Sequence, residues 1–107
     1  MKFKVLGSKR KGSEYEFTIQ GDGEWSFSDI VPCMINAVSS ASTFYIEDSV
    51  IKDRRYDDNP SENKGKRALA KFNLESTLVP NVKKLSVSDQ GIGKQMIEKF
   101  VLGIDKA

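Results

Sequence analysis

Alternation of polar and apolar residues in several short segments restricts this chain to folds built largely on a half-buried sheet. Residues 2–6, 14–20 and 67–77 follow the two-residue period of a strand with one buried face. Residues 43–52 are instead rich in the aromatic and β-branched residues that strands favour. The segments predicted as strands are 2–6, 14–20, 24–27, 43–52, 67–77 and 82–87. The sequence therefore predicts five to six strands.

The spacing of the first two strands suggests how they pair. Residues 7–12, Gly-Ser-Lys-Arg-Lys-Gly, separate them and are predicted to form a hairpin loop. A register with Phe3 opposite Phe17 places Lys4 opposite Glu16 on the other face. We therefore expect an apolar pair in the core and a pair of opposite charges outside.

Two segments show the longer period of helices. A helix is predicted over about 29–40, with a Ser-Asp cap and Pro32 in its first turn. A second helix is predicted over about 89–103, where another Ser-Asp pair forms the cap and Gly103 the stop. The apolar residues at helical spacing are Ile30, Met34, Val38 and Ala41 in the first segment and Ile92, Met96, Ile97, Phe100, Val101 and Ile104 in the second.

These elements predict an α+β fold in a single domain over residues 1–107. Consecutive strands joined by short turns favour a mainly antiparallel sheet of five to six strands, with both helices on one face. Residues 53–66, polar apart from Tyr56, form a long hairpin loop between two strands. Five strands with a helix after the third is also the element order of an oligonucleotide-binding barrel, which many small α+β folds share.

The side chains available for catalysis are few. The chain has no histidine, which excludes Ser-His-Asp and Cys-His catalysis and histidine-ligated metals. Cys33 lies in the first predicted helix and is expected to be buried, and Glu14 and Glu16 are expected to lie on the surface. Residues 91–94, Gly-Ile-Gly-Lys, lack the spacing of a phosphate-binding loop. We therefore expect neither an enzyme nor a bound cofactor or metal.

The surroundings of the protein are also constrained. One cysteine allows no disulfide within the chain, so the fold does not depend on oxidation. The first residues carry no apolar signal region, and no stretch approaches the roughly 18 apolar residues of a membrane span. We expect a soluble, cytoplasmic protein with no membrane contact, and the sequence leaves its oligomeric state open.

Basic residues cluster around the long loop and in the first hairpin. Residues 53–67 contain five basic and four acidic residues, and pairing of the flanking strands would bring the basic ones together at the base of the loop. Lys9 to Lys11 form a second basic segment. The residues predicted to contact a partner are Arg54, Arg55, Tyr56, Asp57, Asp58, Lys64, Lys66, Arg67, Lys9, Arg10 and Lys11.

Two functions fit these residues. Mixed charge favours a protein partner with complementary charge, which suggests a small inhibitor, an immunity-type protein or an accessory protein. The alternative is binding of nucleic acid, single-stranded in an oligonucleotide-binding manner, through the basic loops and aromatic residues of the sheet. The aromatic pairs considered for stacking are Trp25 with Phe27 and Tyr15 with Phe17, each pair on one strand face. The protein-binding reading is the main prediction.

Overall fold

A computed structural model describes residues 1–38, 43–54 and 68–106, and the structural statements below concern these residues. It has one six-stranded antiparallel sheet and two helices, which confirms the α+β class. The elements in chain order are β1 (Phe3–Lys11), β2 (Glu14–Gly21), α1 (Phe27–Asn36), β3 (Phe44–Glu47), β4 (Val50–Asp53), β5 (Ala70–Ser76), β6 (Val82–Asp89) and α2 (Lys94–Asp105). Neither described helix is long and apolar enough to cross a membrane.

The strand order is β1-β2-β6-β5-β4-β3, and every neighbouring pair is antiparallel. The order is linear, with β1 and β3 at the edges, whereas an oligonucleotide-binding barrel closes its sheet. The long connection from β2 to β3 carries α1, and β6 inserts between β2 and β5. The centre of the sheet is therefore formed by segments far apart in the sequence.

One face of the sheet forms the core with both helices. Its buried strand side chains alternate along the central strands, as the two-residue period predicts. The buried strand residues on this face include Tyr15, Phe17, Ile19, Ile51, Ala70, Phe72, Leu85 and Val87. They join one cluster with Ile30 and Met34 of α1 and Ile97, Phe100, Val101 and Ile104 of α2. Ile30, Met34 and Val38 of the first predicted stripe and Ile97, Phe100, Val101 and Ile104 of the second are thus confirmed as core. Ile92 lies before α2, both it and Met96 are partly buried against the core, and Ala41 lies outside the described residues.

The first hairpin is longer than predicted, and its predicted register is wrong. Strand β1 continues to Lys11 and turns over Gly12 and Ser13, so that Phe17 lies opposite Ser8 rather than Phe3. Gly12 has a φ of 60°, as the first central position of a type II′ turn requires. A bulge between Val5 and Gly7 shifts the alternation. The basic residues Lys9–Lys11 can continue β1 because β1 is an edge strand, where charged side chains remain solvated.

The segment predicted as one strand over 43–52 is a hairpin of β3 and β4. Asp48 and Ser49 form its two-residue turn, and both have positive φ, at 52° and 62°. This is the pattern of a type I′ turn, whose sequence signal usually includes glycine. Glycine is absent here, so the turn gave no signal.

The long loop predicted over 53–66 begins later than expected. Asp53 lies inside β4, where it is buried and accepts a hydrogen bond from the Thr43 hydroxyl. Residues 55–66 of the predicted loop lie outside the described residues. The strand predicted to follow, over 67–77, is β5 at Ala70–Ser76, and the strand predicted over 82–87 extends to Asp89.

Residues 24–27 are not a strand, and the first helix begins earlier than predicted. Trp25 is buried in the core, and Ser26 is the N-cap of α1, its N–H donating to Asp29 Oδ2 at 2.7 Å. Pro32 consequently lies inside the helix rather than in its first turn. The helix ends at Asn36, with Ala37 as its C-cap, earlier than predicted; residues 39 and 40 of the prediction lie outside the described residues.

The second helix begins later than predicted. Asp89 ends β6, and its Oδ1 accepts hydrogen bonds from the N–H groups of Gly91 and Gly93 at 2.8 and 3.1 Å. The helix therefore starts at Lys94, with Gly93 as its N-cap. Gly103 is inside α2 and is not a stop: a Cβ there would lie 2.7 Å from Cys33 O in α1. This glycine permits the close approach of the two helices.

Candidate functional site

Each of the six strands has one of its ends at the same end of the sheet, which we call the hairpin end. It comprises the end of β1, the start of β2, the end of β6, the start of β5, the end of β4 and the start of β3. The basic segment Lys9–Lys11 and Arg54 both lie there, although sequence gave no distance between them. Strands β1 and β4 are four spacings apart, or roughly 19 Å at about 4.8 Å each.

The remaining predicted partner-binding residues lie outside the described residues: Arg55, Tyr56, Asp57, Asp58, Lys64, Lys66 and Arg67. Their flanks are on neighbouring strands, as expected: Ile51 and Ala70 are paired across β4 and β5, and Leu69 N donates to Ile51 O at 2.8 Å.

The basic segment of β1 divides between the two faces of the sheet. Lys9 and Lys11 lie opposite Glu16 and Glu14 in the strand register, on the face away from the helices. Arg10 points to the helix side, where its guanidinium lies 5.2 Å from the centre of the Tyr15 ring. Two lysines, rather than all three cations, are therefore available on the face away from the helices.

The face opposite the helices, which we call the outer face, is covered by neither α1 nor α2. Small polar side chains such as Thr18, Asn73, Ser86 and Ser88 lie along its central strands. Charged residues of both signs surround them. The charged residues on the outer face are Lys4, Lys9, Lys11, Lys52, Lys71, Lys84, Glu14, Glu16, Glu47 and Glu75. The pattern is a polar platform with both charges interspersed.

At the hairpin end the outer face is shallowly concave. A depression of about 610 Å³ is lined by the outer-face residues Lys9, Lys11, Glu14, Glu16 and Lys84. Arg10 also borders it, although its guanidinium lies on the helix side. Lys84 Nζ lies 3.8 Å from Glu16 Oε1, and both side chains remain substantially exposed. An exposed pair of this kind contributes little to stability, so both groups are available to a charged partner.

On the outer face the pairing of β3 with β4 produces a tighter ion pair. Lys52 Nζ lies 3.2 Å from Glu47 Oε1. The hydrogen bond to Glu47, together with its negative charge, raises the pKa of Lys52 above its usual value. Lys52 is therefore fully cationic at neutral pH, and its charge is balanced by Glu47.

Most sheet aromatics face the core. Tyr15, Phe17 and Trp25 are at most 6% exposed, so the stacking surface considered for them does not form. Phe27 is the first residue of α1, which corrects its expected pairing with Trp25 on a strand. Within the described ranges Tyr45 is the aromatic residue on the outer face, with the Arg54 guanidinium 4.8 Å from its ring centre. A row of exposed aromatics is therefore missing from the described face.

The structure also places two further features considered from the sequence, the glycines at 91 and 93 and Cys33. The N–H groups of Gly91 and Gly93 already have Asp89 as their acceptor, so they do not form an open phosphate cradle. Cys33 is partly exposed rather than buried. The part of the chain that is described holds no group of three or more metal-ligating side chains.

Sequence reasoning did not include Lys84 or Glu75 among the predicted partner-binding residues. Their alternation was visible, but their neighbours depend on the pairing of β6 with β2 and β5.

Comparisons with protein-family models, with curated proteins and with solved structures give no significant match.

Proposed function

We propose that this chain is a non-enzymatic protein-binding module of the inhibitor, immunity-type or accessory class, and that it binds its partner on the outer face near the hairpin end. The observation that carries this proposal is the platform of small polar side chains bordered by interspersed lysines and glutamates. Small side chains allow close approach of a flat partner, and charges of both signs select one whose charges are complementary.

The interspersed carboxylates favour a protein over a nucleic acid. Glu14, Glu16 and Glu75 lie on the same face as the lysines, and Glu16 is already paired with Lys84. A phosphate backbone would be repelled by these groups, because nucleic-acid sites depend on uncompensated positive charge. Single-strand binding also uses successive aromatic platforms, and the described outer face offers Tyr45 alone.

Charge reversal tests the proposal. The partner is first recovered with the full chain from cells of its source and then produced as a pure protein. Lys11→Glu and Lys84→Glu are each expected to raise its Kd about tenfold, because the reversed charge repels the partner's carboxylates. Lys99→Glu, an exposed position on the α2 side, is the matched control and is expected to leave Kd unchanged. Equal Kd values for all four proteins would refute the proposal.

Nucleic acid is the alternative, and the six lysines of the outer face are the observation that favours it. Single- and double-stranded oligonucleotides are titrated with the protein over a salt series. Tight binding with a steep salt dependence would replace the protein-binding proposal, since phosphate contacts release counterions. A flat or absent response would exclude the alternative.

A further inference from the structure

The loop from Thr77 to Asn81 joins β5 to β6 at the end of the sheet opposite the hairpin end. Its tip holds the most exposed large apolar side chain described in the molecule: Leu78 is 103% exposed, and Val79 is 51% exposed. A leucine that packs against nothing contributes no burial to the fold. Single exposed apolar residues are common on protein surfaces. Leu78 differs from these because the loop that carries it has a fixed conformation.

Hydrogen bonds within the loop hold its tip in one shape. Thr77 Oγ1 lies 2.7 Å from Val82 O and 3.0 Å from Val79 O, and it accepts a hydrogen bond from Val79 N at 3.1 Å. Val82 N donates to Val79 O at 3.0 Å, which closes the turn. The backbone beneath Leu78 is therefore fixed by contacts that do not involve its side chain.

Asn81 fastens the other end of the loop to the core. Its carbonyl oxygen accepts hydrogen bonds from Gly21 N at 2.8 Å and from the buried Trp25 Nε1 at 2.9 Å. Its side-chain Nδ2 donates to Gly21 O at 3.0 Å. The loop is thus attached to β2 and to the residue before the cap of α1. Because the backbone of the loop is already held by hydrogen bonds, its apolar tip loses little conformational freedom when it becomes buried in a complex.

Two lysines lie next to Asn81, at the base of the loop. A depression of about 320 Å³ is lined by Asn81 of the loop and by Lys2, Lys4 and Asp22, among others. Both lysines are exposed, and neither forms an ion pair within the described part of the chain. A partner surface that meets this end is therefore complementary when it carries carboxylates next to an apolar pocket.

We propose that Leu78 and Val79 form a preformed anchor that enters an apolar pocket of the protein partner, whose carboxylates meet Lys2 and Lys4 at the rim of that pocket. This inference rests on the proposed protein-binding function and names the chemistry of the partner's surface. It requires a partner that extends along the outer face from the hairpin end to this loop, a distance of roughly 26 Å for the eight residues of β6 at about 3.3 Å each. It matches the usual energetics of interfaces, in which a few rigid, fully buried side chains dominate affinity and are surrounded by weaker polar contacts.

The test uses the partner recovered with the full chain. Leu78→Ser is expected to raise its Kd about 10- to 100-fold, which corresponds to losing the burial of one leucine side chain. Leu102→Ser, at a 51% exposed leucine on α2, is the matched control and is expected to change Kd less than twofold. Because Leu78 makes no packing contact, Leu78→Ser is expected to unfold at the same urea concentration as the original chain.

A second variant tests the rigidity of the loop. Thr77→Val removes the hydroxyl while it keeps the shape of the side chain, and it leaves Leu78 unchanged. We expect it to weaken binding several-fold, because the loop must then be ordered on binding. A benzophenone amino acid at position 78 is expected to cross-link to the partner directly, and the same group at position 102 is not.

The outcomes separate this inference from the proposed function. One outcome would overturn the anchor and keep the protein-binding function. In it, Lys84→Glu weakens binding, Leu78→Ser does not change Kd, and the benzophenone at position 78 does not cross-link to the partner. Failure to recover any partner would overturn both. Co-sedimentation with phosphatidylcholine–phosphatidylserine vesicles, or concentration-dependent self-association, would also overturn the proposal if Leu78→Ser abolished it, since the occupant would then be a lipid surface or a second copy.

Discussion

Replacement of Gly21 by alanine tests the junction between β2, Trp25 and the loop from Thr77 to Asn81. A Cβ at position 21 would lie 2.4 Å from Trp25 Cδ1 and 2.8 Å from its Nε1. The indole cannot retreat without loss, since it is 3% exposed, lies edge-on to the Phe3 ring with centroids 5.1 Å apart, and donates to Asn81 O. The extra methyl group must therefore displace Trp25 or the strand end.

The expected cost follows from these contacts. Forcing a methyl group into a packed core costs about 1–3 kcal/mol. Loss of the hydrogen bond from Trp25 Nε1 to Asn81 O adds about 1 kcal/mol. Alanine offsets about 0.4–1 kcal/mol of this loss, because it lowers the conformational entropy of the unfolded chain. The net prediction for Gly21→Ala is a loss of about 1–3.5 kcal/mol in the free energy of unfolding. It is measured by urea titration of the fluorescence of the single tryptophan.

Gly23→Ala is the matched control, two residues along the same connection. A Cβ at Gly23 meets no atom within 4 Å, and its φ lies outside the left-handed region. We expect this variant to stay within about 0.5 kcal/mol of the original chain, as surface substitutions do. Equal unfolding free energies for the variants at Gly21 and Gly23 would refute the reasoning about the Trp25 contact.

Two further predictions concern α2 and the β3–β4 hairpin. A Cβ at Gly103 would lie 2.6 Å from Ala37 Cβ and 2.7 Å from Cys33 O, so Gly103→Ala is expected to lower the free energy of unfolding by about 1–3 kcal/mol in the same urea titration. Glu47→Gln is expected to return the raised pKa of Lys52 towards its usual value, observed by NMR titration of the Lys52 side chain.

Each of these predictions has an outcome that contradicts it. Alanine is a better helix former than glycine by about 1 kcal/mol, so a stabilised Gly103→Ala variant would mean that the helices separate at little cost. For Lys52, the pKa is higher in the folded state, so the pair stabilises the fold below pH 10.5 and loses this effect as the pH rises through the raised pKa. An unchanged Lys52 titration in Glu47→Gln would show that the contact with Glu47 does not control it.

The sequence predicted those elements whose signal lies within the element itself. The stripes of α1 and α2 and the alternation of β2 identified the core residues, because each buries one face against the same layer. The boundaries at β1 and at the β3–β4 turn were wrong for a local reason. Basic residues extend an edge strand as readily as they form a loop, and the turn at Asp48 and Ser49 lacks glycine.

The outer face could be predicted only in part, because its composition depends on pairing across the sheet. Glu16 meets Lys84 through the pairing of β2 with β6, and Lys9 through the pairing with β1. The alternation in each strand separates inward from outward residues but does not identify the neighbouring strand. Sequence reasoning therefore recognised the basic segments and could not place them on a common platform.

The hydrogen bonds that Asn81 makes to Gly21 and Trp25 link the stability of the fold to the proposed anchor. The same carbonyl that binds Trp25 Nε1 and Gly21 N holds the base of the loop that presents Leu78. A displaced indole in Gly21→Ala would therefore free the tip as well as destabilise the core, whereas Leu78→Ser changes the tip alone. The first variant is therefore expected to lose both stability and affinity, and the second is expected to lose affinity only. Bound partner should correspondingly raise the urea midpoint of the original chain, since it binds the folded state with the loop in place.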